Sequence, residues 1–228
     1  MFLGSLFLAM VLATPIEDSI KASSVQIEYI EVFDVDKVKT TRTKYGSGTV
    51  VKSDEKATYV LSCLHVLSSI DPTTNKRVVN HGRVYVYTSD KKTVFQAMLV
   101  DVDPDHDLCL LKIGVSKLPF SVLAKQESYT PNIQMYLSGY ANGGPLQLKT
   151  MLPEPTPAWI KHHDLSDWTG SVQFKPASTP GESGCGLFRA SDGHLIGVVF
   201  ARNLECSCGY AVYLRDVRAF LKKSNIGD

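Results

Sequence analysis

Asp101 to Ile113 reads DVDPDHDLCLLKI. An acidic turn around Pro104 runs straight into an apolar stretch, Leu108 to Ile113, interrupted only by Lys112. A short apolar run bounded by turn residues predicts a buried strand rather than a helix. Asp107 is then the carboxylate held where turn meets strand, with Asp103 and Asp105 as nearby rivals for any role that needs one. An aspartate at such a junction is ordinarily a turn or capping residue, so its meaning depends on the rest of the chain.

Outward from this stretch the same pattern repeats from about residue 25 onward. β-branched and aromatic runs such as SVQIEYIEVF, GSGTVV, ATYVLSCL, RVYVYT, TVFQAMLVDV, IQMYLSGY, LQLKTML, SVQF, GCGLF, HLIGVVFA and YAVYL are separated by turn residues. Many short strands at regular spacing predict an all-β sandwich or barrel. Only the tail differs: in YLRDVRAFLKKSN the apolar residues Leu214, Val217, Phe220 and Leu221 have helical spacing, with lysines at the end, which predicts a short closing helix. SKLPFSVLAKQESYTPN, residues 116–132, divides the strands into two groups of similar size and predicts a connector between two halves. PEPTPAWIKHHDLSDWTG, residues 153–170, reads as a long surface loop.

Composition narrows the partners. With 24 Lys plus Arg against 23 Asp plus Glu the formal charge is +1, so there is no basic stripe to track phosphates and no nucleic-acid partner is expected. The opening MFLGSLFLAMVLATP resembles the apolar region of a signal peptide, with a cleavage point near Ala13. The run is shorter than the roughly 20 residues a spanning helix needs. Export, and hence a secreted or extracytoplasmic location, is expected. The alternatives are a buried first strand or a membrane tether through residues 1–15, and membrane contact is expected only through this segment if it is uncleaved. TPIEDSIKASS, which follows, could be a propeptide.

The cysteines at 63, 109, 185, 206 and 208 form no paired C-x-x-C sets, so no metal and no cofactor is assigned. Cys63 and Cys109 lie in apolar runs and read as small buried hydrophobes, while Cys206 and Cys208 read as a turn pair too close for an easy bond to each other.

Two further segments carry chemistry. In YVLSCLHVLSS an apolar strand delivers His65 at its end. In STPGESGCGLF, Ser183 has Gly181 two residues before it and Gly184 directly after, so the backbone can turn sharply and aim the Gly181 and Ser183 amides to one side, as an oxyanion hole requires. Nucleophilic catalysis by a hydroxyl needs such donors together with a base and a group that orients it.

The order of Gly46-Ser47-Gly48, LHV at His65, HDLCLLKI at Asp107 and PGESG at Ser183, followed by DGHLIGVV, resembles the trypsin-like serine peptidase superfamily, and within it the bacterial domains that include the HtrA-type proteases. The resemblance covers roughly residues 25 to 224. It implies two six-stranded antiparallel β-barrels (about residues 22–120 and 133–214), a C-terminal helix (about 215–224) and an active site in the cleft between the barrels, all within a domain spanning 22–226 and preceded by an apolar segment 1–20. No PDZ-like appendage is expected after the helix.

The resemblance also assigns roles: Ser183 as nucleophile, His65 as base, Asp107 as the orienting carboxylate, and the Gly181 and Ser183 amides as the oxyanion hole. Ala177, Ser178, Phe200, Ala201 and Arg202 are the expected substrate-binding residues, and a protein or peptide the expected substrate. No acidic residue stands at the pocket base, so a preference for Lys or Arg is not implied; Arg202 could favour an acidic side chain or pair with Glu205. A cysteine nucleophile on this fold has glycine two residues before it. For Cys185 that place holds Ser183, so Cys185 reads as a packed neighbour. A catalytically silent binding protein and a virus-encoded polyprotein-processing protease are the competing readings.

Overall fold

The computed structural model describes residues 14–35, 38–70, 77–79, 82–127, 129–130, 132–155, 158–161 and 168–226. The apolar run before Thr14, on which export is expected, lies outside these residues. The described chain begins with helix α1 (Pro15–Ser23), where the threonine hydroxyl of Thr14 accepts from the Glu17 amide and proline occupies the first turn. Ile20 and Ser23 are buried, and Ser23 Oγ lies 2.6 Å from Ser121 Oγ. The possible propeptide is thus a helix docked on the body of the molecule, and the boundary expected near residue 20 falls within it. Among the described residues no helix is long and apolar enough to cross a membrane.

Two antiparallel barrels follow. The first closes in the order β1 (Ser24–Val35), β2 (Val38–Ser53), β3 (Thr58–Cys63), β8 (Leu108–Ile113), β7 (Val94–Asp103) and β6 (Gly82–Tyr87). A small hairpin of β4 (Ser68–Ile70) and β5 (Arg77–Val79) stands apart. The second barrel runs β10 (Gln147–Pro153), β9 (Met135–Gly139), β13 (Gly186–Arg189), β14 (Leu195–Asn203), β15 (Cys208–Tyr213) and β12 (Trp168–Lys175), and closes where Leu152 and Pro153 pair with Lys175 and Phe174. The two six-stranded barrels expected from the resemblance are the fold observed.

The stretch from Asp101 to Ile113 behaves as its pattern demands. Leu108, Cys109, Leu110, Leu111 and Ile113 are fully buried, and β8 pairs with β3 on one side and β7 on the other. Helix α2 (Leu214–Lys223) turns Leu214, Val217, Phe220 and Leu221 inward, the four residues singled out by their spacing, and ends on Lys222 and Lys223, where cations favour the helix C-terminus.

Two expectations need correction. The stretch 153–170 is not a plain loop, because β11 (Ala158–Lys161) pairs antiparallel with Trp168 to Ser171. The four-residue run AWIK between prolines and charges was too short to register as a strand. Cys206 and Cys208 are joined as a disulfide. The turn between β14 and β15, with Ser207 at φ 52°, folds the chain back and brings their Cα atoms to 5.2 Å, an ordinary bridging separation. Cys63, Cys109 and Cys185 are free and buried.

Candidate active site

The β3–β8 register builds the first half of the site. Cys63, the last residue of β3, pairs with Leu108, the first of β8. In an antiparallel pair the chain leaving one strand therefore meets the chain entering the other, here His65 and Asp107. His65 sits in a single 3-10 turn, Leu64–Val66. Asp107 adopts φ 56°, a left-handed conformation that aspartate tolerates better than most side chains. Its carbonyl accepts from Leu64 N (2.9 Å), Oδ1 accepts from His65 N (2.9 Å), and Oδ2 lies 2.5 Å from His65 Nδ1.

One aspartate thus fixes both the backbone and the ring of the histidine. An ionised carboxylate only accepts, so Nδ1 carries the proton and Nε2 is left with a lone pair. The Asp107 side chain is 1% exposed and that of His65 31%, which leaves the imidazole open on one side. The rival carboxylates are not in this position. Asp103 Oδ1 accepts from the Asp105 and His106 amides, and Oδ2 lies 2.8 Å from His106 Nδ1. The Asp103 carboxylate raises the pKa of His106, which in turn helps hold Asp103 below the usual carboxylate range. Asp105 is exposed.

The second half is the turn from Thr179 to Cys185. Gly181 and Gly184 have φ of 88° and 85°, which only glycine adopts without strain. Around the turn the amides divide into two sets. Glu182 N donates to Thr179 O, Gly184 N to Val199 O and Cys185 N to Glu182 O, whereas the amides of Gly181 and Ser183 meet no acceptor among the described residues. The Pro180 and Glu182 carbonyls accept from Asn142 N and Cys185 N respectively. Each trans peptide sends its N–H opposite to its C=O, so both free amides face away from those bonds. The half-buried Ser183 hydroxyl makes no hydrogen bond among the described residues.

This turn docks on the end of β3. A Cβ added to Gly184 would lie 2.9 Å from Cys63 N and would collide with Ser62 Oγ and Ser47 O. Ser183 O accepts from Ser47 N at 2.8 Å. His65 lies two residues beyond Cys63, so the serine turn and the histidine share one seam between the barrels.

Two contributors escaped the sequence reading. Ser47, fully buried between Gly46 and Gly48, donates from Oγ to Gly181 O and accepts there from Tyr140 N. It was read only as part of a motif. Glu182, also fully buried, accepts from Thr179 N through Oε2 at 2.6 Å, while Oε1 lies 2.5 Å from Lys149 Nζ on β10. A glutamate between two turn glycines gives no sign in sequence that it points inward. Lys149→Met leaves that buried carboxylate without its cation, a change that typically costs 3–5 kcal/mol in a fully buried pair. Lys149 is 27% exposed, so the expected loss is about 2–3 kcal/mol of unfolding free energy, read from denaturant midpoints. A loss below about 0.5 kcal/mol would mean that Lys149 does not hold the turn.

Of the expected substrate residues, Ser178 Oγ donates to Ala201 O at 3.4 Å, tying the segment before the serine to β14, and Ala177 is half-buried beside it. Phe200 occupies a bulge in β14 and is 5% exposed, packed in the core. Arg202 is exposed, and among the described residues no ion pair joins it to Glu205.

Cys185 is buried in the second barrel, where burial pushes its thiol pKa well up; a thiol held protonated is a poor nucleophile. Cys63 Sγ, His65 and Asp107 offer donor atoms within 4.8 Å of one another. They do not suit a cation. The Cys63 thiol donates to Val199 O and is held protonated by burial, and both Asp107 oxygens are engaged by His65.

Comparison with known proteins agrees with this fold. The model of the trypsin-like peptidase domain matches residues 46–198. Among solved structures, the active form of the Rv3671c protease from M. tuberculosis is 20% identical, with a TM-score of 0.73 over 94% of this chain and 86% of that one. The inactive form of the same protease is 21% identical, with a TM-score of 0.68 over 92% of each chain. At such identity the likeness is one of fold. None of the curated proteins matches the chain.

Proposed function

The chain belongs to the trypsin-like peptidase domain family and is a serine endopeptidase, and we propose that it cuts peptide bonds through Ser183, His65 and Asp107 by way of an acyl-enzyme. The observation that carries this reading is the pairing of two features on one seam. A histidine is held in a single tautomer by a buried carboxylate, and a serine turn leaves its Gly181 and Ser183 amides without acceptors.

In this reading Ser183 Oγ attacks the scissile carbonyl while His65 Nε2 takes its proton. The oxygen that becomes negative is received by the two free amides, which are already oriented and need no reorganisation. His65 then returns the proton to the departing amine, and water repeats the sequence to release the acid. Asp107 stays ionised and stabilises the imidazolium that forms in each half. Ala177, Ser178, Ala201 and Arg202 border the substrate, with Phe200 contributing backbone rather than its ring. Substrates are proteins or peptides, and the apolar opening of the chain supports an exported enzyme.

Labelling with a fluorophosphonate probe followed by intact mass tests the reading. One adduct is expected on the wild-type protein and none on Ser183→Ala or His65→Ala. A folded wild-type protein that stays unlabelled would make this a silent member of the family, with binding as its function.

A further inference from the structure

A cavity of about 720 Å³ lies between β2, the connector that joins the barrels, and helix α2, and none of the residues assigned to catalysis lines it. Its volume falls within the range of small-molecule sites, roughly 300–1,000 Å³. The apolar lining comes from Val51, Phe120, Val122, Leu221 and Ile226. Phe120 and Val122 are 50% and 54% exposed, so apolar surface faces water there at a cost of about 25 cal/mol per Å².

The polar lining has one dominant sign. Lys52, Lys125, Arg218 and Lys222 all border the cavity. The ammonium groups of the three lysines make no hydrogen bond or ion pair among the described residues. Arg218 gives its donors to neutral acceptors, the carbonyls of Lys125 (2.9 Å) and Ala124, so its charge is uncompensated. Against these four cations the described lining holds a single carboxylate, Asp54, which accepts from the neutral Lys56 and Ala57 amides and whose charge offsets that of nearby Lys52. His194, also in the lining, has its Nδ1 3.1 Å from Asp192 Oδ2.

We propose that this cavity binds an amphipathic anion, an alkyl carboxylate of the fatty-acid class. The chain covers the apolar lining, and the head group lies among the lysines and Arg218. Both halves of the ligand are needed, because a free anion would leave Phe120 and Val122 in water and a neutral chain would leave Lys125, Arg218 and Lys222 without a counter-charge. The wall is rigid enough to hold such a ligand. Its connector is pinned to the first barrel by Ser121 N to Val50 O (2.9 Å) and to the second by Leu195 N to Val122 O (2.8 Å).

Calorimetric titration with decanoate below its micellar concentration tests the proposal, with acetate and decyltrimethylammonium as controls. Decanoate is expected to bind one to one, and at least tenfold more tightly than either control. Lys125→Glu, and separately Val122→Asp, should each weaken decanoate at least tenfold while melting stays unchanged, because both positions are exposed. Ser183→Ala should bind decanoate as the wild type does, which keeps this outcome independent of the proposed catalysis. Equal binding of the cationic amphiphile, or decanoate affinity unchanged in the variants, would overturn the proposal. So would saturable binding of an acidic peptide at this face with no binding of decanoate.

Discussion

Ser183→Ala lowers peptide turnover by about 10⁴-fold to 10⁶-fold, the range expected when a nucleophile acting within a catalytic unit is removed. Folding should be unaffected. The Ser183 hydroxyl makes no hydrogen bond among the described residues, and the turn is held by its neighbours: Glu182 on Lys149 and Thr179, Ser47 on Gly181 O, and Ser183 O on Ser47 N. Melting temperature and far-ultraviolet dichroism should match the wild type. The contrast is Cys185→Ala, which trims a buried thiol from the second core and should change turnover less than about tenfold while costing about 1 kcal/mol of stability. Turnover abolished by Cys185→Ala and preserved in Ser183→Ala would reverse the assignment of the nucleophile.

The second large effect is at Asp107, where asparagine should reduce turnover by about 10⁴-fold. The carboxylate accepts twice from His65, once from the backbone amide and once from Nδ1. An amide can keep the first bond through its oxygen, but its nitrogen then faces Nδ1 as a donor. The ring must shift its proton to Nε2, and the lone pair that would take the serine proton is lost. Asp103→Asn breaks only the link to His106 and should cost less than about tenfold. Steady-state rates on one peptide substrate separate the two. A larger loss at Asp103 or Asp105 than at Asp107 would move the orienting role.

How much of this was legible depends on the range of the interactions. Strands β3 and β8 announced themselves because an antiparallel strand buried on both sides must be apolar along its length, as VLSCL and LCLLKI nearly are. The closing helix was legible because one apolar face at helical spacing has no other use. The glycines at 181 and 184 marked the serine turn because positive φ excludes most other residues. By contrast, β4, β5 and β11 are three or four residues long, too short for periodicity to register. The bond between Cys206 and Cys208 depends on the backbone reversal at Ser207, which composition does not reveal.

By itself, then, the sequence determined the strand-rich class, the closing helix and the residue types of a serine hydrolase in their order along the chain, because each rests on local patterning. The resemblance already pointed to Asp107, the aspartate directly before the apolar strand, and the tertiary structure supplied the physical reason, since the meeting of that residue with His65 follows from the Cys63–Leu108 register. The tertiary structure alone showed Ser47 and Glu182 turned inward as supports of the serine turn, and Phe200 withdrawn into the core. It also gathered four scattered cations around one apolar cavity. Burial and long-range pairing are properties of the closed barrels: a polar side chain shows its partner only after distant strands have been brought into register.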